Sequence, residues 1–130
     1  LCANLRRGAL NSVAVENGIR KIALGHHKDD AVETFFMNLY NEGRIGCFSP
    51  VTHLDRKDVY LIRPMIYVPE KEIKHFVKSE GIEVLPKYCP ADGNTERERV
   101  KQDLAERERT DHGFKDRIFG AIERGIWMNS

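Results

Sequence analysis

The segment 25–34 places two histidines and three carboxylates at the junction between an apolar stretch and an amphipathic helix, in the order Gly-His-His-Lys-Asp-Asp-Ala-Val-Glu-Thr. Residues 19–24 are typical of a short buried strand, and apolar side chains then recur at helical spacing over 32–40. A helix N-terminus attracts phosphate through its free N–H groups and its dipole. Asp29 and Asp30 would repel a phosphate unless Mg²⁺ bridged them to it, since this cation is usually held by one or two carboxylates plus phosphate oxygens. The pattern therefore indicates metal-assisted nucleotide chemistry.

A helix cap is the structural alternative for the same residues. Asp30 and Glu33 have the spacing of a capping box, which stabilises a helix start by about 1 kcal/mol without any ligand. His26 and His27 could likewise be one packed ring and one solvated ring. A cap alone needs neither the second aspartate nor the histidine pair, so the density of these side chains favours a ligand site.

The composition fits one compact α/β unit and excludes several classes of protein. The chain has 130 residues, of which 41% are hydrophobic and 32% are charged, so a modest core can form. The net charge of +1 excludes a uniformly basic nucleic-acid surface but leaves room for a local basic patch. No apolar run approaches the roughly 20 residues that span a bilayer, and no signal-peptide pattern is present. We therefore expect a soluble cytoplasmic protein without a membrane partner.

Strand and helix patterns alternate through the middle of the chain. The predicted elements are a helix over 3–17 ending at Gly18, a strand over 20–25, a helix over 29–41, a strand over 58–63, a helix from Pro69 to Gly81 and a strand over 83–85. This order predicts part of a doubly wound, Rossmann-like parallel sheet, in which ligands bind beyond the carboxyl ends of the strands.

The last part of the chain has a different character. Residues 91–130 form a predicted helical C-terminal extension, with two helices broken near His112 and Gly113, after an α/β domain over 1–90. Within it, charges of both signs alternate over 96–109, which is typical of a solvated helix face.

Cysteine usage points away from disulfides. Cys2, Cys47 and Cys89 make an odd number without secretory context, so we interpret them as free thiols or metal ligands. The chain opens on Leu1 without an initiator methionine, and we expect it to be a piece of a longer protein.

Residues 25–34 resemble the second signature of the PP-loop ATPases, the adenine nucleotide alpha-hydrolase-like superfamily, whose members adenylate a tRNA base or a related substrate. Within that group the chain is most similar to the tRNA 2-thiocytidine synthetases. The resemblance is carried, in order, by Cys2, Leu5-Arg6-Arg7-Gly8, Lys21-Ile22-Ala23-Leu24-Gly25-His26-His27, Ile62-Arg63-Pro64, Cys89, Asn94 and Arg97.

The resemblance implies an ATP-dependent tRNA sulfurtransferase, which adenylates a cytidine and replaces its oxygen with sulfur. ATP, magnesium and an iron–sulfur cluster are the implied cofactors, with tRNA and a sulfur donor such as a cysteine desulfurase as partners. A homodimer is an additional expectation. The family holds its cluster with three cysteines; Cys2 and Cys89 match two of them, while Cys47 has no counterpart and is interpreted as a loop thiol.

The implied site residues fall into four groups. Asp29, Asp30 and His26 are expected at the reaction centre, with the aspartates on magnesium or pyrophosphate and His26 near the adenylate. The expected nucleotide-binding residues are Gly25, His26, Asp30 and Arg63. The expected metal ligands are Cys2 and Cys89. Arg6, Arg7 and Arg97 are expected to bind the substrate, and Arg6 and Arg7 would also favour the thiolate of Cys2.

One family feature is absent from the sequence. The Ser-Gly-Gly-x-Asp-Ser loop that would cradle the phosphates occurs nowhere in the chain. We therefore expect the chain to represent the carboxyl-terminal portion of the enzyme, to be inactive alone, and to leave an apolar sheet edge or face exposed.

Two other functions remain open from the sequence. A lysidine synthetase-like ligase would keep residues 25–30 but make the cysteines irrelevant. A metal-dependent phosphohydrolase or a noncatalytic binding module could be built on His26, His27, Asp29 and Asp30, since histidine together with carboxylate suits a transition metal. Arg63 could equally pair with a helix carboxylate.

Overall fold

The structure is a computed structural model that describes residues 2–85 and 95–129, with side chains described over 5–85 and 96–129. The helices and strands are α1 (Cys2–Glu16), β1 (Lys21–Ala23), α2 (Lys28–Glu42), β2 (Val51–Leu54), β3 (Val59–Ile62), α3 (Glu70–Ser79), α4 (Thr95–Thr110) and α5 (Phe114–Ile122), followed by a π-helical turn over Glu123–Trp127. None of the described helices is long and apolar enough to cross a membrane.

The three strands form one sheet in the order β1-β3-β2. β1 pairs with β3 in parallel, with Ile22 opposite Leu61. The predicted α/β class is therefore confirmed, and so is the parallel relation of the strands predicted over 20–25 and 58–63. β2 pairs with β3 in the antiparallel sense, with Thr52 opposite Leu61, and it was not predicted. A tight turn over 55–58 joins these two strands, and Asp58 takes the left-handed conformation there (φ 48°), which aspartate tolerates better than most residues.

The strand predicted over 83–85 does not form. Val84 and Leu85 expose 73% and 75% of their surface, and this stretch is paired with no strand in the described part of the chain. A strand needs a neighbour for its backbone hydrogen bonds, so β propensity alone could not decide the question.

The helix boundaries follow the local signals closely. Gly18 has φ 68° just beyond the end of α1, as predicted for a left-handed C′ position. Pro69 is the N-cap of α3, and Gly113 is the N-cap of α5 at the predicted break between the two C-terminal helices. Backbone chemistry at single residues therefore sets these ends.

The hydrophobic core is centred on α2. Side chains from α2, from the loop before α3, from α4 and from α5 pack together in it: Ala31, Val32, Phe36, Ile66, Val100, Leu104, Phe119 and Ile122. The helices after residue 95 thus share a core with the α/β part, while the boundary predicted near residue 90 lies outside the described residues. α1, in contrast, exposes Leu5 and Val13 by 66% and 54%, and β1 is an edge strand of the described sheet.

Candidate functional site

The candidate site lies where the two parallel strands end. The Leu24 N–H donates to the Ile62 carbonyl over 2.8 Å, so β1 and β3 end at the same height in the sheet. Gly25 and His26 follow β1, and Arg63 follows β3. The carboxyl ends of parallel strands meet at one edge of a sheet, which is the usual ligand position in open α/β folds.

Arg63 and His26 are in direct contact at this edge. Arg63 Nε donates to His26 Nδ1 over 3.2 Å, and Arg63 Nη1 donates to the Ser49 carbonyl over 2.6 Å and to Thr52 Oγ1 over 3.2 Å. The guanidinium also lies 4.8 Å from the centroid of the Phe48 ring, and the His26 ring lies 4.8 Å from the same centroid. Arg63 is only 6% exposed, so its charge is held in place by an aromatic ring and fixed acceptors.

Burial and the contact with Arg63 together set the protonation state and the tautomer of His26. Burial and the nearby Arg63 charge lower the pKa of His26 below its ordinary 6.5, so the ring is neutral at pH 7. Since Nδ1 accepts a hydrogen bond, the proton lies on Nε2. Neither His26 Nε2 nor Arg63 Nη2 has a hydrogen-bond partner among the described residues, so both are donors available to a ligand.

Asp30 and His27 cap α2 together. The Asp30 N–H donates to His27 Nδ1 over 3.2 Å, and the His27 N–H donates to Asp30 Oδ2 over 3.0 Å. The capping box is therefore real but begins three residues before the Asp30–Glu33 box considered from the sequence. An imidazole nitrogen takes the role that a serine or aspartate oxygen usually has. Among the described residues, the contact of the other oxygen, Asp30 Oδ1, is a 4.0 Å ion pair with Arg97.

Asp29 is engaged through both carboxylate oxygens. Oδ1 accepts the N–H of Glu70, at the start of α3, over 2.9 Å, and Oδ2 accepts from Lys115 Nζ of α5 over 3.0 Å. Burial alone would raise the pKa of Asp29, but these two donors more than offset it and hold the pKa below its usual value. Asp29 thus joins α2 to α3 and α5.

The Glu70 side chain also contacts the N-terminus of α2. Its Oε2 lies 3.1 Å from His27 Nε2, and its Oε1 lies 3.1 Å from both Lys74 and Lys101. These lysines hold the pKa of Glu70 below its usual value against the effect of burial. The N-termini of α2 and α3 are therefore joined in both directions, by Asp29 to the Glu70 amide and by His27 to the Glu70 carboxylate.

Arg97 docks α4 onto α2. Its Nη1 donates to Glu33 Oε1 over 3.1 Å and its Nη2 to Thr34 Oγ1 over 3.3 Å. Glu33 is 4% exposed, and burial raises its pKa despite the neighbouring Lys101 and Arg97. Arg97, for which the family resemblance implied substrate binding, therefore has its partners on the same helix that carries Asp30.

The predicted metal ligands can be followed only in part. Cys89 and the side chain of Cys2 lie outside the described residues. Cys47 is described, and its thiol contacts the Ala31 carbonyl at 3.5 Å while burial raises its pKa to about 12, which suits a packed thiol rather than a ligand. In the part of the chain that the structure describes, no group of three His, Cys, Asp or Glu side chains is arranged to hold a metal ion.

The other predicted site residues whose side chains the structure describes are Arg6, Arg7 and Gly25. Arg6 and Arg7 are exposed on α1, and the Arg7 charge is near enough to add to the effect of burial in lowering the pKa of Arg63. A Cβ on Gly25 would meet Met65 Cε at 3.7 Å, an ordinary contact, so the protein itself does not require glycine there.

Sequence reasoning missed two residues of the site. Phe48 supports both His26 and Arg63, and Glu70 joins α3 to α2. Phe48 lies in a loop without periodicity, and nothing in the sequence links it to a strand end. Glu70 has one weak signal, an acidic residue in the first turn of a helix after Pro69.

A cleft adjoins Asp29 on the side of α3 and α5. Its volume is about 480 Å³, and its lining includes Lys28, Asp29, Lys71, Glu72 and Lys115. The mixed charges leave no strong preference for an anion or a cation there.

Comparisons with known proteins point to one group. A family model for the PP-loop domain matches residues 2–108. The tRNA-cytidine(32) 2-sulfurtransferase of Ralstonia nicotianae is 40% identical over 127 residues, which cover 97% of this chain and 41% of that protein. The protein of the same name from Teredinibacter turnerae is 38% identical over 125 residues, with coverages of 95% and 41%. The chain thus spans about two fifths of the length of these relatives.

A solved structure has the same fold. The U34-tRNA thiolase NcsA from Methanococcus maripaludis, determined with its 4Fe–4S cluster, superposes with a TM-score of 0.76 at 27% sequence identity. The match covers 95% of this chain and 42% of that structure.

Proposed function

The chain belongs to the PP-loop domain family, and on that premise we propose that it is part of an ATP-dependent tRNA sulfurtransferase that thiolates a cytidine. One structural observation supports a nucleotide site in this chain, in addition to its membership of the family. His26 and Arg63 meet at the carboxyl ends of the parallel strands, each with a donor that no described residue uses. A preorganised pair of donors at this position suits a nucleotide phosphate.

In this proposal His26 and Arg63 bind the phosphate of ATP or of the adenylated base. Arg63 supplies a fixed positive charge, because its Nη1 is held by Ser49 and Thr52. His26 donates from Nε2 as a neutral ring, because its Nδ1 is already occupied. Gly25 lets a ligand approach the backbone, since the protein leaves room for a Cβ at that position.

Asp30 is the better candidate of the two aspartates for magnesium. Among the described residues, the partner of Asp30 Oδ1 is Arg97 at 4.0 Å, whereas Asp29 would have to release Lys115 or the Glu70 amide. A bound magnesium would neutralise phosphate charge during transfer of the adenylyl group. We therefore assign Asp30 to the metal and Asp29 to the positioning of α3 and α5 around the reaction centre.

We propose that Cys2 and Cys89 ligate the iron–sulfur cluster and that half-buried Cys47 does not, because its thiol contacts the Ala31 carbonyl and its pKa is raised. A cluster with one iron free of protein ligands supplies a place for exogenous sulfide. Arg6 and Arg7 are exposed on α1, about one turn after Cys2, where they would favour its thiolate and contact tRNA. Arg97 is already bound to α2, so we propose that it positions Asp30.

The proposed partners follow from this reaction. They are a tRNA, a sulfur donor such as a cysteine desulfurase, and a second copy of the protein in a homodimer. Since tRNA modification takes place in the cytoplasm, we propose that location for the protein.

The test uses the full-length protein in a bacterial strain that lacks its own tRNA-cytidine 2-sulfurtransferase. Bulk tRNA is digested and its nucleosides are measured by mass spectrometry. We expect 2-thiocytidine to reappear with the wild-type protein, to fall at least about tenfold with Arg63→Gln, and to remain with Cys47→Ser as the matched control. Appearance of 2-thiouridine instead would show that the substrate is a uridine and not a cytidine. Absence of any thiolated nucleoside would refute the proposal.

A further inference from the structure

Helix α3 carries a row of basic side chains on one side. At about 100° per residue, these side chains fall within an arc of about 100° that contains no acidic residue. The members of this α3 basic stripe are Lys71, Lys74, His75 and Lys78, and all four are exposed. Ile73 and Val77 lie away from the stripe and are half-buried, so α3 turns its apolar side to the protein and its basic side to solvent.

Most of the positive charge of the stripe is uncompensated. Lys74 forms an ion pair with Glu70 at 3.1 Å, but its side chain is still 71% exposed. Lys71 and Lys78 have no ion-pair partner among the described residues. The N-terminal carboxylate of α3, Glu70, is shared between His27, Lys74 and Lys101. The stripe is thus a local positive patch on a chain whose net charge is only +1.

A cleft of about 200 Å³ extends the stripe towards α4 and α5. Four lysines line it, namely Lys71, Lys74, Lys101 and Lys115, together with three carboxylates. Each carboxylate already has a cationic partner: Asp29 pairs with Lys115, Glu33 with Arg97 and Glu70 with Lys101. Lys74, Lys101 and Lys115 are themselves paired with these carboxylates, so among the described lining residues Lys71 is the lysine left for an incoming anion, where the cleft meets the stripe.

We propose that the α3 basic stripe contacts the phosphate backbone of the substrate RNA, an inference that rests on the proposed tRNA thiolation. Lysines on an exposed helix bind phosphates as point charges and need no particular base sequence. A membrane surface fits less well, because Ile73 and Val77 face the protein and leave Phe76, 59% exposed, as the free apolar side chain of the helix. The stripe would hold the tRNA body while the strand ends hold the nucleotide.

The test compares two variants that each remove two positive charges. Lys71→Ala/Lys78→Ala removes the unpaired lysines of the stripe. Arg56→Ala/Lys57→Ala is the matched control, because these exposed residues lie in the β2–β3 turn. Binding of the full-length protein to an unmodified tRNA transcript is measured by fluorescence anisotropy between 0.05 and 0.3 M salt, and thiolation by the same variants is measured as initial rates.

We expect the stripe variant to weaken tRNA binding about tenfold near 0.1 M salt and to reduce the slope of log K against log salt by about 1 to 2. In the thiolation assay its KM for tRNA should rise at unchanged kcat, while the control variant behaves as wild type in both assays.

Two outcomes would overturn the proposed role of the stripe and leave the proposed function standing. One is an equal loss in both variants, and the other is an unchanged stripe variant of a protein that does thiolate tRNA. Tighter binding to anionic phospholipid vesicles than to tRNA would also overturn it. Failure of the wild-type protein both to bind tRNA and to thiolate it would refute the proposed function, and the stripe proposal with it.

Discussion

Arg63 Nε donates a hydrogen bond to His26 Nδ1 over 3.2 Å, so a residue just after β3 sets the tautomer of a residue just after β1. The two side chains come from strands that lie parallel in the sheet, and Phe48 contacts both of them. A neutral histidine with its proton on Nε2 and a fixed guanidinium thus stand side by side at the ligand edge of the sheet.

The first prediction concerns the pH dependence of His26. Its pKa is lowered in the folded protein, so between that value and about 6.5 the unfolded chain binds more protons than the folded one. This contribution to the free energy of unfolding is complete above about pH 6.5 and is lost as the pH falls towards the folded-state pKa. NMR titration of the ring should show the lowered pKa, and Arg63→Gln should raise it because a positive charge is removed. His26→Asn should abolish this part of the pH dependence in urea unfolding, and an unshifted ring in Arg63→Gln would contradict the assignment.

The second prediction concerns Asp29, whose hydrogen bonds link α2 to α3 and α5. Asp29→Asn removes the charge that Lys115 faces but keeps an acceptor for the Glu70 amide. We expect the free energy of unfolding to fall by about 1–2 kcal/mol, since the pair is only partly buried. Lys115→Met should cost a similar amount, and the double variant should cost less than the sum. Strict additivity of the two losses would show that the pair is not coupled.

The third prediction concerns Glu33, which is buried against Arg97. Arg97→Met leaves this carboxylate without its guanidinium, and we expect a loss of about 1–3 kcal/mol in urea unfolding at pH 7. Glu33→Gln/Arg97→Met should recover part of it. Because burial raises the pKa of Glu33 in the folded protein, its contribution to stability is greatest below its unfolded-state pKa and is lost as the pH rises through the folded-state pKa. The free energy of unfolding of Arg97→Met should therefore rise on mild acidification, as Glu33 becomes protonated. A fall instead would be inconsistent with an unfavourable buried charge on Glu33.

The fourth prediction separates ligand requirements from folding requirements at Gly25. This glycine does not have a positive φ, and a Cβ there makes only an ordinary contact with Met65. Gly25→Ala should change the free energy of unfolding by no more than about 0.5 kcal/mol. If a nucleotide approaches the backbone at this position, ATP binding by the full-length protein should weaken about tenfold, or about 1.4 kcal/mol. Calorimetric titration measures this, and an unchanged ATP affinity would remove Gly25 from the nucleotide site.

The fifth prediction concerns the reactivity of Cys47. Its pKa of about 12 keeps the thiol protonated at pH 8, and the thiol is packed against the Ala31 carbonyl. Alkylation by iodoacetamide, followed by peptide mass spectrometry, should modify Cys47 slowly in the folded protein and fully in denaturant. Cys47→Ser should leave the iron content of the full-length protein unchanged, whereas Cys89→Ser should reduce it. Rapid labelling of Cys47 in the folded state would contradict the packing of its thiol against the Ala31 carbonyl.

Local patterns determined a large part of this molecule. The helical spacing over 32–40, Gly18 as a C′ residue and the break before Phe114 each depend on a few neighbouring residues, and the structure has these features as predicted. The same holds for the motif at 25–30, because a strand followed by a helix places it at the carboxyl edge of a sheet whatever lies around it. The family could be read from the motifs for the same reason.

Tertiary structure decided everything that depends on a distant partner. β2 forms because β3 offers its free edge, while residues 83–85, with comparable apolar character, find no described neighbour and remain unpaired. The sequence indicates that Asp29 is a metal ligand, yet both of its oxygens accept hydrogen bonds from distant residues. The donors are the Glu70 amide, 41 residues away, and Lys115, 86 residues away. Arg97 similarly meets Glu33 only because α4 packs on α2. Hydrogen bonds and ion pairs between elements follow from how helices and strands come together, and no local spacing encodes that arrangement.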